Sequence, residues 1–150
     1  MEKYIGTKMI QARPMTRGAY NAYRGWTIPA NENPEDEGYL VSYYPDGYES
    51  WSPKEVFEQA YRPIDGMNFG LAIEAAKMGK RIARTGWNGK NQHVELATCI
   101  SYKNNSGEIV NVEHNNIGNK ALAFVGTSGV QMGWLASQAD MLADDWDIVE

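Results

Sequence analysis

RIARTGWNGKNQHVELATCI, residues Arg81–Ile100, decides the fold. Its first residues alternate, placing Lys80, Ile82 and Arg84 on one face of a short strand. From His93 the alternation returns, with Val94, Leu96, Thr98 and Ile100 on one face of a second strand. Gly86 and Gly89 lie between the two, where the backbone must bend tightly. The same turn contains Trp87, a large apolar ring in an unusual place. Either Trp87 folds back and plugs the edge of a core, or it offers a flat face for a ligand ring. In the second case Arg84, Asn88 and Lys90 stand close enough to serve polar atoms.

Working outward, MNFGLAIEAAKMGK reads as a helix ahead of these strands. Asn68 is placed to cap it, Gly79 to stop it, and Phe69, Ala72, Ile73 and Ala76 recur at helical spacing. Beyond Ile100, KNNSGE reads as a hairpin turn, and EIVNVEH and KALAFV as further strands, followed by the turn residues Thr127–Gly129. Ser137 with Asp140 three residues later forms a helix-start pattern. Trp146–Val149 reads as a closing strand.

The first part of the chain has complete patterns of its own. A strand is expected around Met9–Ala12. Thr16 is placed to cap RGAYNAYR, which ends at Gly25. ANENPEDEG (Ala30–Gly38) reads as a solvated acidic loop. GYLVSYY and YESW are strands joined by Pro45-Asp46-Gly47. SPKEVFEQAY predicts a helix with Ser52 as cap, Pro53 in its first position and Val56, Phe57 and Ala60 facing a core. Pro63 and Gly66 punctuate the junction, which predicts two modules, 1–65 and 66–150. The fold class expected is α+β: small antiparallel sheets with short helices packed on them.

Composition narrows the functions. The 150 residues carry 14 basic and 19 acidic side chains, a net charge of −5. The acidic excess is spread over both modules, so a nucleic-acid polymer is not an expected partner. A small anion in a local pocket remains compatible with that charge. The single cysteine, Cys99, permits no internal disulfide, and no apolar run approaches a membrane span. The N-terminal residues show no signal-peptide core, so the expectation is a soluble intracellular protein. Five Trp and nine Tyr against three Phe favour surfaces and pockets that stay partly wet.

Catalytic patterns are weak. His93 and His114 are not in metal-ligand spacing, and Asp140, Asp144, Asp145 and Asp147 lack the glycine-punctuated spacing of a calcium loop, so no metal is expected. No nucleophile elbow or phosphate-cradling glycine loop occurs, and Cys99 reads as a half-buried small residue. No cofactor is expected. Three readings stay open on the residues alone: a nucleotide-binding protein, a hydrolase of the same molecules, or an adaptor with no nucleotide ligand. For binding, Trp87, Trp134 and Trp146 are the ring candidates, and Asp140 is either a polar contact or a helix cap.

MNFGLAIEAAKMGKRIARTGWNGK (Met67–Lys90) and WLASQADMLADDWDIV (Trp134–Val149) together resemble the Thoeris anti-defence proteins of the second type, a phage-encoded family. The resemblance spans about residues 67–150. Gly133 stands where the family pattern has proline and Ala139 where it has threonine. The resemblance implies a non-catalytic sponge for cyclic ADP-ribose isomers made by TIR-domain enzymes, and in some members for cyclic dinucleotides of CBASS-type systems at a second site. It implies a homotetramer acting in the cytoplasm of an infected bacterial host. By position, it implies Trp87 as adenine platform, Asn88 and Asp140 as polar contacts, and Arg84 as phosphate contact. It further implies Asn68 and Phe69 at a helix start facing an anion, with Phe69 equally readable as core, and Gly89, Lys90 and Asn91 as candidates for the dinucleotide site. For residues 1–65 a docking or assembly-supporting role is the expectation.

Overall fold

Three of the helices start where a short polar side chain, Thr16, Asn68 or Ser137, takes up a free backbone N–H group. The computed structural model describes residues 1–43, 45–87, 91–112 and 120–150. They form two compact units, Met1–Arg62 and Pro63–Glu150.

In the first unit, strand β1 (Gln11–Pro14) leads into helix α1 (Arg17–Arg24). Thr16 caps that helix, its hydroxyl accepting from the Ala19 N–H at 3.2 Å, and Gly25 ends it at a φ of 72°. β2 (Gly38–Tyr43) and β3 (Tyr48–Pro53) form the expected hairpin, completing an antiparallel sheet in the order β1-β2-β3. Tyr20 of α1 and Leu40 and Val41 of β2 are the buried hydrophobic residues of this unit among those described. The acidic loop before β2 is not simply solvated. Its Asp36 and Pro34 carbonyls each accept from the first N–H groups of α1, those of Arg17 and Gly18, at 2.9 Å. Unmatched helix N–H groups are thereby satisfied by a loop carbonyl rather than by water.

The helix expected from Ser52 begins later. Ser52 and Pro53 stay paired with Tyr39 and Gly38 as the end of β3, and α2 spans Lys54–Ala60. It has no side-chain cap; instead the Lys54 N–H donates to the Glu37 carbonyl at 3.1 Å. Strand pairing has taken Ser52 away from the capping role. Nor does the helix present three residues to a core. Val56 is 58% exposed and Ala60 is exposed as well, while Phe57 alone is half-buried, its ring stacked between Tyr39 (4.0 Å) and Tyr61 (5.1 Å).

The second unit opens with helix α3 (Phe69–Lys77), capped by Asn68, whose side-chain oxygen accepts from the Leu71 N–H at 2.9 Å. Strands β4 (Arg81–Arg84), β5 (His93–Ala97), β8 (Ala121–Gly126), β9 (Gly129–Met132) and β10 (Trp146–Val149) form one antiparallel sheet, in the order β10-β4-β5-β8-β9. α4 (Gln138–Met141) precedes β10. The terminal strand thus lies beside β4, with Trp146 opposite Arg84. The core is Met67, Ala72, Ala75, Ala76, Ile82, Val94 and Trp146. Residues before α3 join this sheet too: Met67 and Trp146 exchange two backbone hydrogen bonds, and Ile64 accepts from the Ile148 N–H at 3.0 Å.

Two strand expectations change. The run His93–Ile100 is not one strand, because it bends at Thr98-Cys99. β6 (Ile100–Lys103) then pairs with β7 (Ile109–Val112) in a separate ribbon. The alternation is continuous, but the pairing partner switches from β8 to β7. Cys99, in the bend, is exposed rather than half-buried. β9 falls outside the expected strands: Val130 and Met132 alternate along it, but its four residues are all exposed and too few for the pattern to stand out. The architecture remains α+β, antiparallel throughout.

Candidate functional site

Trp87 follows β4 in a turn closed by its N–H donating to the Arg84 carbonyl at 3.1 Å. Its indole is half-buried against three rings: Trp146 at 5.4 Å, Phe124 at 5.5 Å and Trp134 at 6.0 Å, all tilted or edge-on. Edge-to-face packing suits the positive ring edge and negative ring face. Trp146 is the hub. It is fully buried, touches Phe69 at 5.4 Å and Trp134 at 6.2 Å, and donates its indole N–H to the Asp140 carbonyl at 2.9 Å. Trp87 is therefore fastened to the core, and the part of its ring left outside is held in a fixed orientation.

A polar network lies at the β4–β10 side of this cluster. The Arg84 guanidinium donates from Nε to Asp145 at 2.9 Å and from a terminal nitrogen to Asp140 at 3.1 Å. These two bonds, Asp145 first and Asp140 second, raise the already high pKa of Arg84. For Asp140, burial opposes ionisation, but hydrogen bonds from Arg84 and Ser137 outweigh it and hold the carboxyl below its ordinary value. Asp140 also completes a capping box on α4: its second oxygen accepts from the Ser137 N–H, and the Ser137 hydroxyl accepts from the Asp140 N–H. Both oxygens of Asp140 are thus engaged. Next to them the Thr85 hydroxyl donates to Asp147 at 3.0 Å.

The fold brings Arg84 and Asp140 into direct contact, although they lie 56 residues apart. Phe69 packs on the ring cluster through Trp146, half-buried. Asn68 is exposed and uses its side-chain oxygen to cap α3. Asn91 is exposed at a φ of 64°, and its carbonyl lies 2.8 Å from Nδ1 of His93. Asn88, Gly89 and Lys90 lie outside the described residues. An anion reaching Arg84 meets a guanidinium already shared by two carboxylates, so the local charge there is negative. Among the described residues no group of three His, Cys, Asp or Glu side chains is placed to hold a metal ion.

Asp145 was not singled out from the sequence as Arg84's partner. The contact follows from β10 lying beside β4, with Trp146 opposite Arg84 and Asp145 just before it, a long-range pairing that the sequence does not show. Trp134 joins the site through Trp87 and Trp146, after its own backbone N–H is fixed to the Leu122 carbonyl at 2.9 Å.

Residues 67–149 match the Tad2-like family, described as the Thoeris anti-defense 2-like domain. The chain is also similar to Thoeris anti-defense 2 of Bacillus phage SP01, with 39% identity over 88 residues, covering 55% of this chain and 94% of that protein. All of α3, β4, the Trp87 ring cluster and the Arg84–Asp140–Asp145 network fall within the matched span.

Proposed function

The chain belongs to the Thoeris anti-defense 2-like family, and from that membership we propose that its second unit binds a cyclic ADP-ribose-type immune signal and holds it uncleaved. The Thoeris effector is then deprived of its activator. The observation that supports the reading is the half-buried Trp87 ring, held by Phe124, Trp134 and Trp146 inside the family-matched span.

A sequestering protein has to bind tightly, and nanomolar affinity corresponds to about −12 kcal/mol. One stacked tryptophan supplies about 1–3 kcal/mol. The remainder has to come from enclosure and from many hydrogen bonds to pre-oriented groups. In this proposal Asn88 and Asp140 contact the base or ribose, and Asn68 and Phe69 the open side of the helix start; Arg84 reaches the phosphates by exchanging one of its two carboxylate partners, Asp140 or Asp145, for a phosphate oxygen. Gly89, Lys90 and Asn91 serve a second site for cyclic dinucleotides. Enclosure comes from a neighbouring subunit in a homotetramer, in the cytoplasm of the infected host. The ligand leaves intact, because sequestration needs no bond cleavage.

A thermal-shift screen of the full chain against cyclic ADP-ribose isomers and cyclic dinucleotides tests this. A ligand at 100 times its dissociation constant adds about 2.7 kcal/mol to native stability. The expected result is stabilisation by one or more of these molecules, with the ligand recovered whole after denaturation. A cleaved product refutes sequestration, and no shift with any of them refutes nucleotide binding.

A further inference from the structure

The first unit contains an open cleft of about 440 Å³, within the range of small-molecule sites. Three rings line it: Tyr20, Trp26 and Trp51. Tyr20 and Trp26 stand 5.9 Å apart at 83°, which makes a corner with a floor and a wall. Trp26 is 58% exposed, so part of its ring is available, with the Arg24 guanidinium 5.5 Å from the ring centroid. The Trp51 ring lies across Gly38, where a Cβ would come within 2.4 Å of it, so glycine is what allows this ring to settle there.

The polar part of the lining is a matched pair. Arg17 and Glu32 hold each other at 2.9 Å and both retain about 30% exposure, 27% and 32%. A donor and an acceptor therefore stand side by side next to the aromatic corner. Arg17 is already countered by Glu32 and lies 3.8 Å from Asp36, while Arg24 is bonded to the Tyr20 hydroxyl and the Glu49 carbonyl. Neither cation is in surplus, which disfavours a phosphate. We propose that this cleft binds an uncharged planar ring bearing adjacent N–H and C=O groups, the amide edge of a uracil-type or guanine-type base. The ring lies on Trp26 with its edge toward Tyr20. Its C=O accepts from Arg17 and its N–H donates to Glu32.

Calorimetry and saturation-transfer NMR on the full chain test this with uridine, 3-methyluridine, uridine monophosphate and methyl β-glucoside. Uridine is expected to bind, with the monophosphate no tighter. Blocking the ring N–H in 3-methyluridine removes the donor to a charged acceptor and weakens binding about tenfold or more. Trp26→Ala weakens uridine binding by at least about fivefold, the lower end for one lost stack. Trp87→Ala leaves it unchanged, which separates this cleft from the nucleotide site proposed in the second unit. No uridine binding, binding of the glucoside instead, a monophosphate at least tenfold tighter, or indifference to Trp26→Ala each overturns the proposal.

Discussion

Trp87→Ala is the substitution that divides platform from plug. The ring is half-buried and meets Trp146, Phe124 and Trp134 at centroid distances of 5.4, 5.5 and 6.0 Å. Removing a fully buried tryptophan costs about 3–5 kcal/mol, so a half-buried one costs about 2 kcal/mol. Counting pairs gives a similar figure, since three tilted contacts at roughly 0.5–1.5 kcal/mol each bracket the same value. For a domain of 60–100 residues each kcal/mol moves the midpoint by about 4–8 °C, so the second unit should melt about 8–16 °C lower. Calorimetric melting of the full chain, followed by titration with the ligand found in the screen at a temperature where the variant is folded, reads both effects. Expected are a lowered but cooperative transition and loss of ligand binding. An unchanged melting temperature refutes the packing argument. A destabilised variant that binds normally refutes the platform and leaves Trp87 as core alone.

Two further substitutions and conditions follow from the same geometry. The Asp140 carboxyl titrates below its ordinary value in the folded state. Its ionised form therefore contributes stability that is complete above the unfolded carboxylate pKa near 4 and is lost as pH falls through the lower folded value. Protection of the α4 amides, corrected for the intrinsic pH dependence of exchange, should fall below about pH 4, and Asp140→Asn should remove that acid dependence; unchanged dependence in the variant refutes it. Gly38→Ala should destabilise the first unit by about 1–3 kcal/mol through overpacking against Trp51 and the Ser52 carbonyl, which its Cβ would approach to 2.4 Å. Denaturant unfolding measures it, and a neutral result shows that the ring yields without cost.

What was legible in the sequence was local. Thr16, Asn68 and Ser137 each cap a helix because a side-chain oxygen reaches the backbone N–H three residues on, whatever surrounds it. Pro45-Asp46-Gly47 marks a reversal for an equally local reason: glycine accepts the positive φ of 68° found at Gly47, whose N–H donates back to the Tyr43 carbonyl at 3.0 Å. Ser52 carries an equally good local pattern and fails, because pairing with Tyr39 across β2 holds it extended. The His93–Ile100 alternation fails at Thr98 because a strand's partner is a long-range fact. The site divides along the same line. Arg84, Trp87 and Asp140 stood out as residue types in suggestive company. That Asp140 and Asp145 would both close on Arg84 depends on β10 lying beside β4, which no window of the sequence contains.

The second unit begins and finishes along one seam. Ile64 is bonded to Ile148, and Met67 to Trp146, so the chain arrives and departs side by side. A unit laced in this way behaves as a cartridge. Its hydrogen-bonded seam, rather than a free terminus, closes the fold, so a short tether across that seam permits new ends to be opened elsewhere, as in a circular permutant. The exposed turn Thr127–Ser128 between β8 and β9 is the natural place to open it. The seam also concentrates risk. A lesion at Met67 or Trp146 loosens the first strap, the last strand and the ring cluster in a single event.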